Sequence, residues 1–128
     1  MYEQGMAADL YLERLALLGL TEPPEPMSLG AEKVRFAYLT EVFYSILDTV
    51  ELCQFVWGPA WTLYGPAEVV SLVGAVTGWD VTLDELMAVG ARRLNLMRTF
   101  NAREGLSRKD DRLPIKFYRA LQGEGPTA

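Results

Sequence analysis

Apolar residues return every three or four positions along most of this chain, and at no point do they alternate with polar ones over the length of a strand. The pattern predicts a first helix from Met6 to Leu20, with Leu12, Leu15 and Leu18 near one face and Gly19 as its stop. Pro23, Pro24 and Pro26 forbid helix and predict an extended connector, which Ser28 to Gly30 completes. A second helix is expected from Ala31 to Leu52, carrying Val34, Tyr38, Val42 (or Phe43), Ile46 and Val50, with Leu39 and Leu47 widening the stripe. At roughly 1.5 Å per residue such a helix is about 30 Å long. The aromatic stretch from Phe55 to Pro66 is rich in turn formers and reads as an irregular loop with buried rings. Pro66 suits the first turn of a third helix through Val69, Val70, Leu72, Val73 and Val76, ending near Gly78. That helix is apolar almost all round, so it is expected in the core; a Val-rich strand is the rival reading, which its length and Ala/Gly content disfavour.

The sharpest local signal is Thr82 with Glu85 three residues on, a capping box. The helix it opens carries Leu83, Leu86 (or Met87), Gly90, Leu94, Met97 and Asn101 on one face and should stop at Gly105. A glycine inside a helix costs about 1 kcal/mol relative to alanine, so Gly90 predicts close approach by another backbone. Ser107 to Arg112 forms a charged loop, and Ile115 to Leu121 adds a turn or two of helix after Pro114. The fold class expected is all-α: a single compact helical domain of about four main helices. Residues 1–30 are its N-terminal helix and Pro-rich connector, and 31–128 its main helical domain.

Composition narrows the chemistry. The chain has 128 residues and no histidine, which removes every Ser–His or Cys–His nucleophile pair and the commonest metal ligand. One cysteine, Cys53, makes no internal disulfide and, without histidine, no zinc site. No apolar run is long enough to span a bilayer and the start lacks a signal peptide's basic region, so the expected compartment is the cytoplasm. The net charge of −5 is uneven: Met1 to Ala91 holds three basic and thirteen acidic residues, whereas Arg92 to Arg119 holds nine basic and three acidic ones. The basic third would meet an anion or pair with the acidic helices of its own domain. The second reading is preferred, because Glu104, Asp110 and Asp111 are interleaved with the arginines. Nucleic acid is not an expected partner, since the total charge is negative and no binding signature is present.

Asp48 and Cys53 stand five residues apart. Downstream follow Thr77-Gly78-Trp79-Asp80, then Gly90, Arg92, Asn95-Leu96 and Arg98, then Phe100-Asn101, Arg103-Glu104-Gly105, Arg108, Asp110-Asp111 and Leu113-Pro114. Taken in order, these resemble the D-x-x-G-x-C, T-G-W-D, G-E-R-x-x-N-L-x-R, F-N-x-R-E-G, R-x-D-D and L-P motifs of the tungsten-containing aldehyde:ferredoxin oxidoreductase family, in its C-terminal helical part. The resemblance covers roughly Leu29 to Ala128. It implies an enzyme in which a pterin-bound tungsten (or molybdenum) and a 4Fe-4S cluster lie close together, aldehydes are oxidised to carboxylic acids, and electrons leave to ferredoxin. It also implies that Cys53 is the fourth cluster ligand, as a thiolate, and that Asp48 and Leu52 touch the pterin, the carboxylate accepting from ring N–H and amino donors. No catalytic residue is assigned.

The departures point to a fragment. The family's glycine between Asp48 and Cys53 is Glu51, where a bulky charge would meet the pterin, and the glutamate after Gly90 is Ala91. The upstream cysteine trio is missing, so the chain is expected to be cut at both ends, to bind neither cofactor alone and to be inactive in isolation. Its partner would be the missing N-terminal cofactor-binding part or a partner subunit. The alternative is a free-standing helical interaction module descended from the family, without redox function and forming a homo-oligomer. Arg98, Arg103 and Arg108 with Asp110 and Asp111 are expected to make a salt-bridge network that holds the loop after the long helix.

Overall fold

The computed structural model of the chain describes residues 6–57 and 64–118, and all regular structure among them is helical. Five α-helices follow one another: α1 (Met6–Leu17), α2 (Ala31–Thr49), α3 (Gln54–Trp57), α4 (Pro66–Thr77) and α5 (Leu83–Arg103), then a single 3-10 turn (Ile115–Tyr118). None of the described helices is long and apolar enough to cross a membrane. The chain divides into two compact units, Met1–Asn95 and Leu96–Ala128.

The first unit holds the core. Leu15 of α1 and Leu18 and Leu20 just after it meet Phe43, Ile46 and Leu47 of α2, Val69 of α4 and Leu86 of α5, all buried. Tyr44 packs against this cluster, and burial pushes its phenol up to about 12, with Tyr11 adding to the shift. Two of the expected faces are narrower than periodicity implied. On α2 only the C-terminal half of the stripe is covered, and Val34 and Tyr38 remain exposed. On α4 only Pro66 and Val69 are buried, while Val76 is 77% exposed, so this helix lies against the core rather than inside it. Apolar content measures what a helix can bury; the number of neighbours decides what it does bury.

The starts of α4 and α5 are closed by local chemistry. At α4, Pro66 takes the first position, and the Gly65 N–H donates back to the Glu68 carboxylate at 2.8 Å. At α5 the capping box forms as expected: the Thr82 N–H donates to Glu85 at 2.8 Å, and the Glu85 N–H donates to the Thr82 hydroxyl at 3.3 Å. The donors from Thr82, backbone first and hydroxyl second, hold the Glu85 carboxyl below the ordinary glutamate range. α2 and α5 cross at Gly90. A Cβ there would overlap the Val42 carbonyl oxygen and approach Ile46 Cγ1 to 3.0 Å. The close backbone approach expected for this glycine is therefore present.

In the second unit, α5 ends at Arg103, Gly105 takes the left-handed position after it, and the chain turns through Ser107–Asp110. The Asp110 carboxylate accepts from the Ser107 N–H at 2.7 Å and from its hydroxyl at 3.0 Å. These bonds lower the Asp110 pKa, the backbone bond first. Asp110 thus closes a serine turn, and the arginine network expected around it is not what shapes the loop. Leu96, Met97, Phe100, Leu113 and Ile115 are exposed.

Two outcomes follow. Gly90→Ala should lower unfolding stability by about 1–3 kcal/mol despite alanine's better helix propensity, because the methyl group meets backbone that has no room to give; urea denaturation reads it. Glu85 has a depressed folded pKa, so its contribution is complete above the unfolded glutamate pKa and disappears as pH falls through the lower folded value. Glu85→Gln should therefore flatten that part of the acid limb of stability against pH.

Candidate functional site

α2 ends in a six-residue construction that explains the spacing from Asp48 to Cys53. Val50 is the C-cap, and Glu51 turns into the left-handed region with φ 57°. The Leu52 N–H then reaches back to the Leu47 carbonyl at 2.9 Å. This is a Schellman motif, with Leu47 and Leu52 as its apolar pair, Leu47 fully buried and Leu52 half-buried against the core. The same construction closes α1, where Gly19 has φ 72° and Leu20 N–H donates to Leu15 O at 3.0 Å. It also closes α5, where Gly105 has φ 91° and Leu106 N–H donates to Asn101 O at 3.0 Å. At two of these three helix ends the left-handed residue is glycine, as is Gly78 after α4 with φ 74°. At the third it is Glu51, the residue that stands where the D-x-x-G-x-C pattern has glycine. The structure thus supplies a backbone reason for glycine at that place, independent of any approach by a pterin.

Cys53 follows directly. Its carbonyl accepts the Val56 and Trp57 N–H groups, each at 3.0 Å, and so opens α3. Its thiol is exposed, as is the Phe55 ring beside it. The thiol is therefore not sealed among aliphatic side chains in the manner of a structural cysteine. Trp57 stacks on Tyr64 with ring centroids 4.7 Å apart, while Phe55 is fully exposed, so the buried rings expected of this stretch are not all buried; Trp61 lies outside the described residues.

Asp48 is engaged from two directions. Gln54 Nε2 donates to its Oδ1 at 2.8 Å, and Arg93 of α5 donates to its Oδ2 at 3.1 Å. The Asp48 and Arg93 side chains are 39% and 35% exposed, so the ion pair contributes about 0–1 kcal/mol. The Arg93 guanidinium also reaches the Ser45 hydroxyl at 3.3 Å, and that hydroxyl donates to the Gly90 carbonyl at 3.0 Å. Ser45 is 2% exposed. A polar line thus runs from the α2–α5 crossing to the carboxylate. Among the described residues this is the one ion pair that joins the basic third to an acidic helix, so the broader pairing expected there is seen only at Arg93.

Of the three residues singled out in the sequence, Asp48 and Cys53 come out exposed at the same helix end, and Leu52 lies between them with its side chain turned to the core. Sequence reasoning missed Ser45, Gln54 and Arg93. The available signal was Ser45, a hydroxyl inside an otherwise apolar stretch of α2. Among the described residues no three or more Cys, Asp or Glu side chains gather where they could hold an ion. Cys53 supplies one exposed thiol, a single soft donor.

The comparison with known proteins bears on this arrangement directly. The family model described as aldehyde ferredoxin oxidoreductase, domains 2 and 3, matches residues 3–128. The chain belongs to the aldehyde ferredoxin oxidoreductase family. Tungsten-containing aldehyde ferredoxin oxidoreductases from Pyrococcus horikoshii, Pyrococcus furiosus and Thermococcus kodakarensis are similar to it at 30%, 29% and 29% identity over 119 residues. Each alignment takes in 91% of this chain and 19% of the relative. The chain thus spans about a fifth of the length of the aldehyde ferredoxin oxidoreductases it matches. No solved structure matches it.

A left-handed conformation costs an L-residue about 1–2 kcal/mol, more than the roughly 0.4–1 kcal/mol that a glycine adds in unfolded-state entropy. Glu51→Gly should therefore raise stability by about 0.5–1 kcal/mol, and Gly105→Glu, where an added Cβ meets nothing within 4 Å, should lower it comparably. Thermal unfolding of the two variants beside the parent chain checks both.

Proposed function

We propose that this chain is the helical part of an aldehyde ferredoxin oxidoreductase that brings one ligand of a 4Fe-4S cluster and one side of a pterin pocket to a centre completed by other polypeptide. The observation that carries this reading is the exposure of Cys53 and Asp48 at one hydrogen-bonded helix end, within a match that runs nearly the length of the chain. Cys53 would supply a thiolate to the cluster, and cluster iron favours that ionised form. Asp48 would accept from the pterin's N–H donors, and Leu52, whose side chain packs on the core, would touch the pterin with the part of the residue that the core leaves uncovered. The tungsten or molybdenum held by the pterin, when bound, supplies the oxidation of aldehyde to carboxylic acid, with electrons leaving through the cluster to ferredoxin. The chain's own residues bind, orient and exclude water. They include one cysteine and no histidine, so the remaining ligands have to come from the cofactor-binding part, on the same or another polypeptide.

The test is compositional. The chain purified alone should hold no stoichiometric iron or sulfide and oxidise no aldehyde. Produced together with a polypeptide carrying the rest of the family protein, it should co-purify with iron, sulfide and tungsten or molybdenum, and Cys53→Ser should lower the iron content. Co-purification with no metal would overturn the reading.

A second reading, a helical interaction module without redox function, is favoured by one observation: Glu51 occupies the left-handed position that the family pattern gives to glycine. It predicts a homo-oligomer, which light scattering after size-exclusion chromatography detects, and no metal under either condition.

A further inference from the structure

We propose that Arg93 is a positioning residue for Asp48: together with Gln54 it sets the plane of the carboxylate, so that the oxygen lone pairs facing outward are preset for a pterin's N–H donors. The inference rests on the reading of Asp48 as the pterin's acceptor, and it deepens that reading by adding two residues that no family motif quoted above contains. Position 93 is one of the open places in G-E-R-x-x-N-L, and Gln54 lies beyond D-x-x-G-x-C.

A carboxylate has two oxygens and about four acceptor directions. Gln54 takes one on Oδ1 and Arg93 takes one on Oδ2, leaving an unused direction on each oxygen. An exposed aspartate without such partners rotates broadly about its terminal torsion. Here the two donors come from different elements, Gln54 from α3 and Arg93 from α5, so rotation in either sense breaks a bond. Arg93 is not a roaming surface cation either. Its guanidinium is tied to Ser45, a buried hydroxyl whose own proton goes to the Gly90 carbonyl at the helix crossing. A pair this exposed adds little to stability, so its effect lies in direction. The guanidinium also leaves the carboxylate's neighbourhood electrically balanced, which favours a neutral heterocycle over a free cation as the next donor.

The test has a readout that needs no cofactor. The Gln54 side-chain amide reports on the orientation of Asp48, and NMR of the isotope-labelled chain should find one Nε2 proton shifted downfield and slowed in solvent exchange. Arg93→Met should remove most of that displacement and protection, Ser45→Ala part of it, and Arg93→Lys should keep more of both than Arg93→Met. In the chain produced with the rest of the family protein, Arg93→Met should lower retained pterin, read by fluorescence of the oxidised pterin, by about tenfold, the lower end for loss of a residue that orients a ligand. Gln54 amide signals indifferent to Arg93→Met would overturn the proposal and leave the functional reading standing. Amide signals that move while pterin retention stays at the parent level would overturn it as well. Absence of pterin from the parent assembly would defeat the functional reading, and the positioning role with it.

Discussion

α2 and α5 touch where Gly90 passes the Val42 carbonyl, and the first unit depends on that contact. Only a residue without a side chain lets the two backbones come so near. At that crossing the buried Ser45 hydroxyl donates to the Gly90 carbonyl at 3.0 Å, in addition to that carbonyl's place in the helix, and so has a partner of its own. Its oxygen is also within reach of Arg93, one turn further along α5, and Arg93 in turn reaches Asp48. Packing at the crossing and polar geometry at the end of α2 are thus joined at one missing Cβ.

The helix ends tell a parallel story. α1, α2 and α5 stop in the same way, with a left-handed residue followed by an N–H that returns to a carbonyl five residues earlier. The D-x-x-G-x-C and N-x-R-E-G patterns are therefore two sightings of one backbone device. In α2 the device places Asp48 before the turn and Cys53 after it. It survives with Glu51 at its strained position because the Leu47–Leu52 contact and the returning hydrogen bond both remain. A charged side chain there is exposed and harmless to packing; its cost is conformational.

Much of this was legible in the sequence. The starts of α4 and α5, the stops at Gly19, Gly78 and Gly105, and the close approach at Gly90 all follow from local rules that involve a few neighbouring residues. The extent of burial did not follow. Val34, Tyr38 and Val76 continue their helices' apolar periodicity yet stay exposed, because periodicity describes one helix and burial requires a second. The site divides along the same line. Asp48, Leu52 and Cys53 lie in one continuous motif, while Arg93 lies 45 residues away from Asp48 and meets it only through the crossing. Its position carries no pattern of its own, so nothing local marked it.

Cys53 is gripped on both sides: the cap of α2 fixes the chain before it, and its own carbonyl anchors the turn of α3 after it. Fixing the backbone of one residue costs about 1–2 kcal/mol of conformational entropy. Around Cys53 the folded chain has already met that cost through its own hydrogen bonds. The direction in which the exposed sulfur points is thus set by the main chain that carries it, save for one side-chain torsion.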